Sequence, residues 1–482
     1  MRDVLFESGQ SPISIWRRIA GGAAYLLILL VAIGVFFFVR SIGESRADLA
    51  SADAKATAPL SAAKDGPHVT FHVLATLSAV IVVGYGLGQL FRFVGQPPVI
   101  GEVVAGILLG PSLLGLFRPD WMHALIPEAT ADPQSHVPVA LKTIAQLGVL
   151  LYMFVVGLEL NAAKIKQRAH TAVAISHMSI VVPFLFGSIL ALWLYPIYCP
   201  SGVSFTSFAL FVGVAMAITA FPVLARILTD NGLGSTRLGS IALAAAAADD
   251  VTAWCLLALV VGIVRSQVES AVYVLLGSIT FIAVMLLVVR PLARAWCARL
   301  EPRPGPIPPI GLVGGLAAVL LAGLATESIG IHSIFGGFLL GAVIPHNSRL
   351  AEELKVRLRD LVTILLLPAF FAYTGMRTQI GLISGGENIF YCVVIILVAT
   401  AGKFGGTLLA ARATGSSWRE SSALGVLMNT RGLMELIVLN IGLDLGVISP
   451  TLFAMMVIMA LVTTLATAPI LNRLVECPTA NV

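Results

Sequence analysis

Fourteen apolar runs follow one another along this 482-residue chain, most of them long enough to cross a lipid bilayer as a helix. A crossing helix needs about 20 apolar residues at about 1.5 Å each. Lipid offers no partner to an open backbone group, so spans of this kind fold as helices whose hydrogen bonds close internally. The runs are Ile19–Val39, Phe71–Phe91, Pro98–Phe117, Val139–Leu160, Ala172–Tyr195, Phe205–Leu228, Leu238–Val264, Ala271–Val289, Ile310–Ala325, Ile331–Ile344, Leu361–Tyr373 (extending as far as Ile383), Ile389–Ala411, Ser422–Leu443 and Leu452–Leu474. Hydrophobic residues make up 58% of the chain and charged residues 11%, against about 25% charged in soluble domains. The pattern specifies an all-α polytopic membrane protein and leaves little room for a soluble enzyme.

Charges in the loops set the expected orientation. Arg2, Arg17 and Arg18 place the N-terminus inside, and alternation then puts nearly every basic cluster on the same side, through Arg290–Arg303, Arg349–Arg359 and Arg412–Arg419 to Arg473. This is the positive-inside pattern. Both termini are expected in the cytoplasm and the chain in the inner cell membrane. The net charge of +5 belongs to these loops and does not point to nucleic acid. Ile19–Val39 ends in Phe-Phe-Phe-Val-Arg, a poor cleavage context, and reads as an uncleaved anchor before an external linker at Gly43–His68. The expected division is residues 1–69 for anchor and linker and 70–476 for the transmembrane domain. Its halves, about 70–298 and 310–476, are joined by the stiff EPRPGPIPP stretch at Glu301–Pro309. The five cysteines are scattered without CxxC spacing, so neither disulfides nor a structural metal site is indicated. No cofactor is expected.

Charge inside the apolar runs carries the functional signal. Asp249 and Asp250 lie more than ten residues from either end of RLGSIALAAAAADDVTAWCLLALVVGIV. A mid-bilayer aspartate costs about 2.5–3.5 kcal/mol on insertion scales, so the pair marks a site that binds protons or cations. Lys403, deep in Ile389–Ala411, is too far from the run's end to snorkel easily and is expected to pair with an acid. Adjacent helical residues do not share a face, so one aspartate would face the ion path while the other pairs with Lys403 or braces its surroundings.

Two apolar runs are also interrupted in corresponding places. The first break contains Thr219-Ala220-Phe221-Pro222, the second Asn429-Thr430-Arg431-Gly432. Pro222 removes a backbone donor and disfavours helix at Phe221, while Thr219 can re-satisfy freed groups or ligate a cation. Matched breaks in two halves are the mark of inverted-repeat transporters. Glu435 sits one turn past Arg431, where an i,i+4 pair is the simple account and a place in the ion path the second. His332 reads as a bundle histidine, Glu102 as a helix N-terminal acid and Glu159 as interfacial. The small residues of Gly101–Gly115 suit close helix packing, with a dimer contact as one use.

The segments QPPVIGEVVAGILLGPSLLG, LYMFVVGLEL, ITAFPVLARIL, AAADDVTAW, FFAYTGMRTQI, AGKFGG and MNTRGLMELIVLNIGL resemble the monovalent cation:proton antiporter-2 family. That family includes bacterial Kef-type and sodium/proton antiporters and plant cation/proton exchangers. The resemblance implies an inverted-repeat sodium/proton antiporter-like fold of about 13 core helices, with two crossing broken helices, to which the N-terminal helix is an addition. It also implies a homodimer, an elevator-like cycle, an ion-site acid at Asp250 and a basic partner at Lys403. Plant exchangers usually carry Asn where this chain has Asp249. Kef-type proteins carry a cytosolic nucleotide-binding domain, and none is expected here.

These residues describe exchange of Na⁺ or K⁺ for protons by alternating access, with one carboxylate holding either a proton or a cation. A cation channel, or a Kef-like potassium efflux system controlled by a separate subunit, is the nearer alternative. An intramembrane enzyme is remote, because neither acid-rich metal motifs nor a second catalytic acid in a GxGD-like setting is present.

Overall fold

The computed structural model describes residues 34, 37–38, 69–125, 136–159, 169–234, 236–265, 268–301 and 307–475. Of the expected anchor, only Gly34, Phe37 and Phe38 are described, and all three are helical. The remaining residues of 1–68 lie outside the described set, as does most of the proline-rich linker.

The described residues form helices without a strand. Apart from two short helices, Leu114–Phe117 and Pro119–Leu125, these are in chain order α1 (Val69–Phe93), α2 (Pro98–Leu109), α3 (His136–Glu159), α4 (Ala169–Tyr198), α5 (Phe205–Ala217), α6 (Phe221–Asp230), α7 (Arg237–Arg265), α8 (Val268–Val284), α9 (Arg290–Leu300), α10 (Pro309–Ile329), α11 (Ser333–Val343), α12 (Arg349–Leu361), α13 (Leu367–Arg377), α14 (Gly386–Ala413), α15 (Trp418–Met428), α16 (Leu433–Asp444) and α17 (Pro450–Leu474). Ten stretches among the described residues are long and apolar enough to span, and the bent pair α15–α16 makes eleven. The expected run at Ile331–Ile344 is the short helix α11. The run at Leu361–Tyr373 is part of a longer helix that begins at Arg349, and it stops at Arg377 before a 3₁₀ turn at Ile380–Ile383.

Two π turns join neighbouring helices, Met285–Val289 between α8 and α9 and Val362–Leu366 between α12 and α13. Each is followed two residues later by a proline, Pro291 and Pro368. Proline lacks the amide donor and crowds the preceding turn, and a locally widened helix accommodates it.

Packing repeats. Helix α4 packs on α5 and α7, and α14 packs on α15 and α17 in the same way. The two units meet along α4 and α14, where a side chain on Gly406 would come 2.6 Å from the Met178 carbonyl and one on Gly402 2.9 Å from the Pro183 Cα. Six passes (α5–α6, α7, α8–α9, α10, α11 and α12–α13) separate α4 from α14, so the second unit runs in the opposite direction. The fold is an inverted repeat with one broken helix in each unit. Around it, α1, α2, α3, α10, α11 and α13 form a second bundle.

The Gly101–Gly115 segment is used inside the chain. Gly101 faces the backbone of Leu87 and Gly88, and Gly106 that of Ala372. Those glycines are covered by α1 and α13, which removes them from the dimer contact considered above. Glu102 falls in the second turn of α2 rather than at its start.

Gly106→Val would drive a branched side chain into a backbone about 2.5 Å away. A loss of 1–3 kcal/mol or more is expected from such overpacking, read as a lower unfolding temperature in detergent. Gly405→Ala, in α14 with open space beside it, is expected to hold or raise that temperature, because alanine is the better helix former by about 0.5–1 kcal/mol.

Candidate ion site

Both chain breaks lie in the interior and touch each other. Helix α5 ends at Ala217, Ile218 is extended, and α6 begins at Phe221. Pro222, at the start of α6, has no amide to offer, which costs nothing in the first turn of a helix. In the second unit α15 ends at Met428 and α16 begins at Leu433, with a bend of 42°. Gly432 has φ 155° and ψ −129°, a region open essentially to glycine alone. The Ala220 amide donates to the Thr430 carbonyl at 3.0 Å, so the two breaks are joined through their main chains. Thr219 Oγ1 lies 3.4 Å from the Met428 carbonyl.

The acid pair sits beside this crossing on α7, and its two members have different surroundings. Asp249 is fully buried and well supplied with donors. Its Oδ2 accepts from Thr219 Oγ1 at 2.6 Å, and Ser179 Oγ reaches Oδ2 at 2.7 Å and Oδ1 at 3.0 Å. Lys403 Nζ stands 3.4 Å from the same Oδ2. Asp250 is 1% exposed, and neither of its carboxylate oxygens has a hydrogen-bond partner. A buried carboxylate without donors is costly, which sets Asp250 apart from its hydrogen-bonded neighbour.

Lys403 is itself fully buried. It donates to the Ser179 carbonyl at 3.0 Å and to the Ala217 carbonyl. With Asp249 as the third contact, the three ammonium donors have three partners. Its 3.4 Å separation from Asp249 exceeds the 2.7–2.9 Å usual for a direct charge-assisted bond, so the ammonium is shared between the acid and the two carbonyls.

Arg431 completes the crossing. Its side chain is fully buried, with Nη2 donating to the Met216 carbonyl at 2.7 Å, and Nη1 to the Ala215 carbonyl at 3.3 Å and to Glu435 at 2.9 Å. Thr464 of α17 accepts from the Arg431 amide at 3.1 Å and donates to its carbonyl at 2.6 Å. Glu435 therefore neutralises Arg431 one turn away, near the positive end of α16.

Thr219, Asp249, Lys403 and the break residues Ala220 and Thr430 thus share one network. Asp250 adjoins it by sequence without joining its hydrogen bonds, and Glu435 belongs to the Arg431 pair. Sequence reasoning missed Ser179, whose hydroxyl serves Asp249 while its carbonyl serves Lys403. A single serine in an apolar helix has no signature that separates it from one bonded to its own helix. Also missed were the carbonyl partners of Arg431, since backbone acceptors leave no trace in side-chain spacing. Among the described residues no group of three His, Cys, Asp or Glu has the arrangement of a metal site.

Residues 77–476 match the transmembrane sodium/hydrogen exchanger family. The chain belongs to that family. Similar members include the Na⁺/H⁺ antiporter NhaS4 of Synechocystis, 43% identical over 84% of this chain and 98% of the relative. Cation/H⁺ antiporter 18 of Arabidopsis thaliana is 39% identical over 82% of this chain and 48% of the relative. The K⁺/H⁺ antiporter 1 of Saccharomyces cerevisiae is 34% identical over 79% of this chain and 44% of the relative. The exchanger-family chain thus spans about half the length of those plant and yeast proteins. The structure of the sodium proton antiporter MjNhaP1 from Methanocaldococcus jannaschii superimposes with a TM-score of 0.61 at 15% identity, over 84% of this chain and 96% of that one, which shows the shared fold. This exchanger is a multi-pass membrane protein, and its family is one of transporters rather than enzymes.

Removing one member of the buried Arg431–Glu435 pair strands the other. Arg431→Met is expected to cost about 3–5 kcal/mol, seen as a large fall in thermal stability in detergent. Arg431→Met with Glu435→Met is expected to recover part of that loss, giving a coupling of about 0.5–3 kcal/mol in a double-mutant cycle. Additive effects would mean that the pair does not act as a unit.

Proposed function

We propose that the chain is a secondary active antiporter that exchanges Na⁺ or K⁺ for protons by alternating access, with Asp250 as the carboxylate that holds either ligand. The observation that carries this reading is the contrast within the acid pair, one aspartate fully hydrogen-bonded and its neighbour bare, beside the crossing of two broken helices. Competition for one carboxylate couples the two fluxes, because a cation leaves only when a proton replaces it. Thr219, Asp249 and main-chain carbonyls at the breaks supply further hard oxygen ligands, which suit an alkali cation. The names of the relatives, which include Na⁺/H⁺ and K⁺/H⁺ antiporters, support the class and leave the choice of cation open.

Loop charge supports a cytoplasmic location for both termini, and the inner cell membrane is the membrane this reading assigns. The family resemblance supports a homodimer, and mass photometry in detergent would register twice the chain mass. The anchor helix over Ile19–Val39 and the linker that follows it belong to the same reading.

Asp250→Asn keeps the size and removes the charge. Cation-dependent proton exchange in proteoliposomes is expected to fall to background, tested with Na⁺, K⁺ and Li⁺ at several pH values. Substantial exchange by this variant would overturn the assignment.

Transport is expected to move net charge. Two carboxylates and a separable lysine can release more than one proton for each cation bound. On a solid-supported membrane a cation jump should give a transient current, and Asp249→Asn should weaken it more than it weakens pH-driven uptake. Uptake without current, and without response to an imposed potential, would mean one-for-one exchange with a fixed Asp249–Lys403 pair.

A further inference from the structure

Close glycine packing sorts the helices into two bodies. Gly101 and Gly106 place α2 against α1 and α13. Gly157 and Gly341 join α3 to α11, and Gly336 joins α11 to α10. In the other set, Gly187 and Gly213 join α4 to α5, Gly402 and Gly406 join α14 to α4, Gly425 joins α15 to α14, and Gly442 joins α16 to α5. At these points backbone or fixed ring atoms stand where a side chain would go, so each set interlocks and moves as one piece. These approaches run within one set or the other, and α8 lies between the sets, with Val274 against Gly262 of α7 and Gly277 against Ile329 of α10. The first set carries none of the acid pair's partners, and the second carries all of them.

Across the boundary α13 packs on α16, and this is where charge gathers. Asp444 ends α16. Its Oδ2 lies 2.8 Å from Lys142 Nζ of α3, and its Oδ1 lies 2.8 Å from Arg377 Nη1 of α13. Each oxygen of one carboxylate in the site-bearing body is therefore held by a different cation of the other body. Arg377 also donates to Asn440 Oδ1 of α16 at 3.1 Å, and Asn440 Nδ2 donates back across the boundary to Thr374 Oγ1 at 2.8 Å. The Tyr373 ring, 5.3 Å from the Arg377 guanidinium carbon, fixes its approach. A cavity bordered by Gln146, His332 and Ile437 adjoins the cluster. By the loop-charge pattern, this is the end away from the basic loops. The opposite end carries a neutral tie, Gln96 Nε2 donating to the Leu465 carbonyl at 3.3 Å, and Glu102 within electrostatic reach of Arg226.

The ion-paired side chains at the outer end are 23–35% exposed. Water competes for such pairs, so each is weak and readily exchanged, while three charges and an amide acting together still define one closed position. We propose that Asp444, clasped by Lys142 and Arg377, is the latch that closes the outer end between the two bodies, and that it opens in every transport cycle. The proposal rests on the antiport reading and uses none of the residues assigned to the ion site.

The test is a reversible clamp. Lys142→Cys with Asp444→Cys, in a variant whose five native cysteines are replaced, is bridged by a short bis-methanethiosulfonate and reconstituted. Exchange is expected to fall more than tenfold on bridging and to return with reductant. Exchange within twofold of the unbridged protein would overturn the latch. A second measurement does not depend on the paired variant being active. In Asp444→Asn, hydrogen–deuterium exchange of residues 437–449 and 373–380 is expected to quicken several-fold, while residues around Lys403 stay unchanged. No change in the outer segments would also overturn it. Failure of the wild-type protein to exchange would count against the antiport reading alone, since the deuterium measurement judges the latch without transport.

Discussion

Two buried cations from the second half of the chain hold the carboxyl end of a half-helix from the first. Helix α5 stops at Ala217, in the interior of the molecule, and its last carbonyls have no further turn to bond. Lys403 takes the Ala217 carbonyl, and Arg431 takes those of Met216 and Ala215. In lipid an orphaned carbonyl costs several kcal/mol, and the partial negative charge at a helix carboxyl end makes cations its natural partners. The break in one repeat is thus stable only because the other repeat supplies the charge. The Ala220 to Thr430 main-chain bond fastens the same crossing.

The division between the two aspartates follows from that arrangement. Once Lys403 is anchored on carbonyls, Asp249 is within reach of it, and Ser179 and Thr219 complete the shell. The partner-rich site holds one carboxylate. Asp250, one residue on and about 100° around the helix axis, receives no donor. The same charges that stabilise the crossing therefore leave one acid uncompensated beside it, which is the physical requirement for a group that must take up and release a ligand. Glycine-tight packing ties the helices that carry this assembly to one another.

Much of this was legible in the chain. Long apolar runs report helices in lipid because no other backbone state is satisfied there, and Pro222 and Gly432 mark breaks because each carries a local constraint of its own. Lys403 and the acid pair stood out because charge at that depth is expensive. The remainder depends on encounters between distant segments. No side-chain pattern identifies Ser179, or shows that Arg431 would reach carbonyls some 215 positions earlier in the chain. The glycines of Gly101–Gly115 suit close packing, and their spacing does not name the partners, which for Gly101 and Gly106 are α1 and α13. The short helix α11 read as an ordinary span because Ile331–Ile344 is mostly apolar, and its eleven helical residues are packed against α3 and α10.

The central claim is that a proton and a cation compete for Asp250. It is tested most directly by adding Na⁺ or K⁺ to the purified protein in weakly buffered detergent solution and counting the protons released. Saturable proton release by the wild type, absent in Asp250→Asn while that variant keeps its thermal stability, is the expected result. Equal release from the Asp250→Asn protein, or saturable cation binding with no proton released by the wild type, would contradict the account.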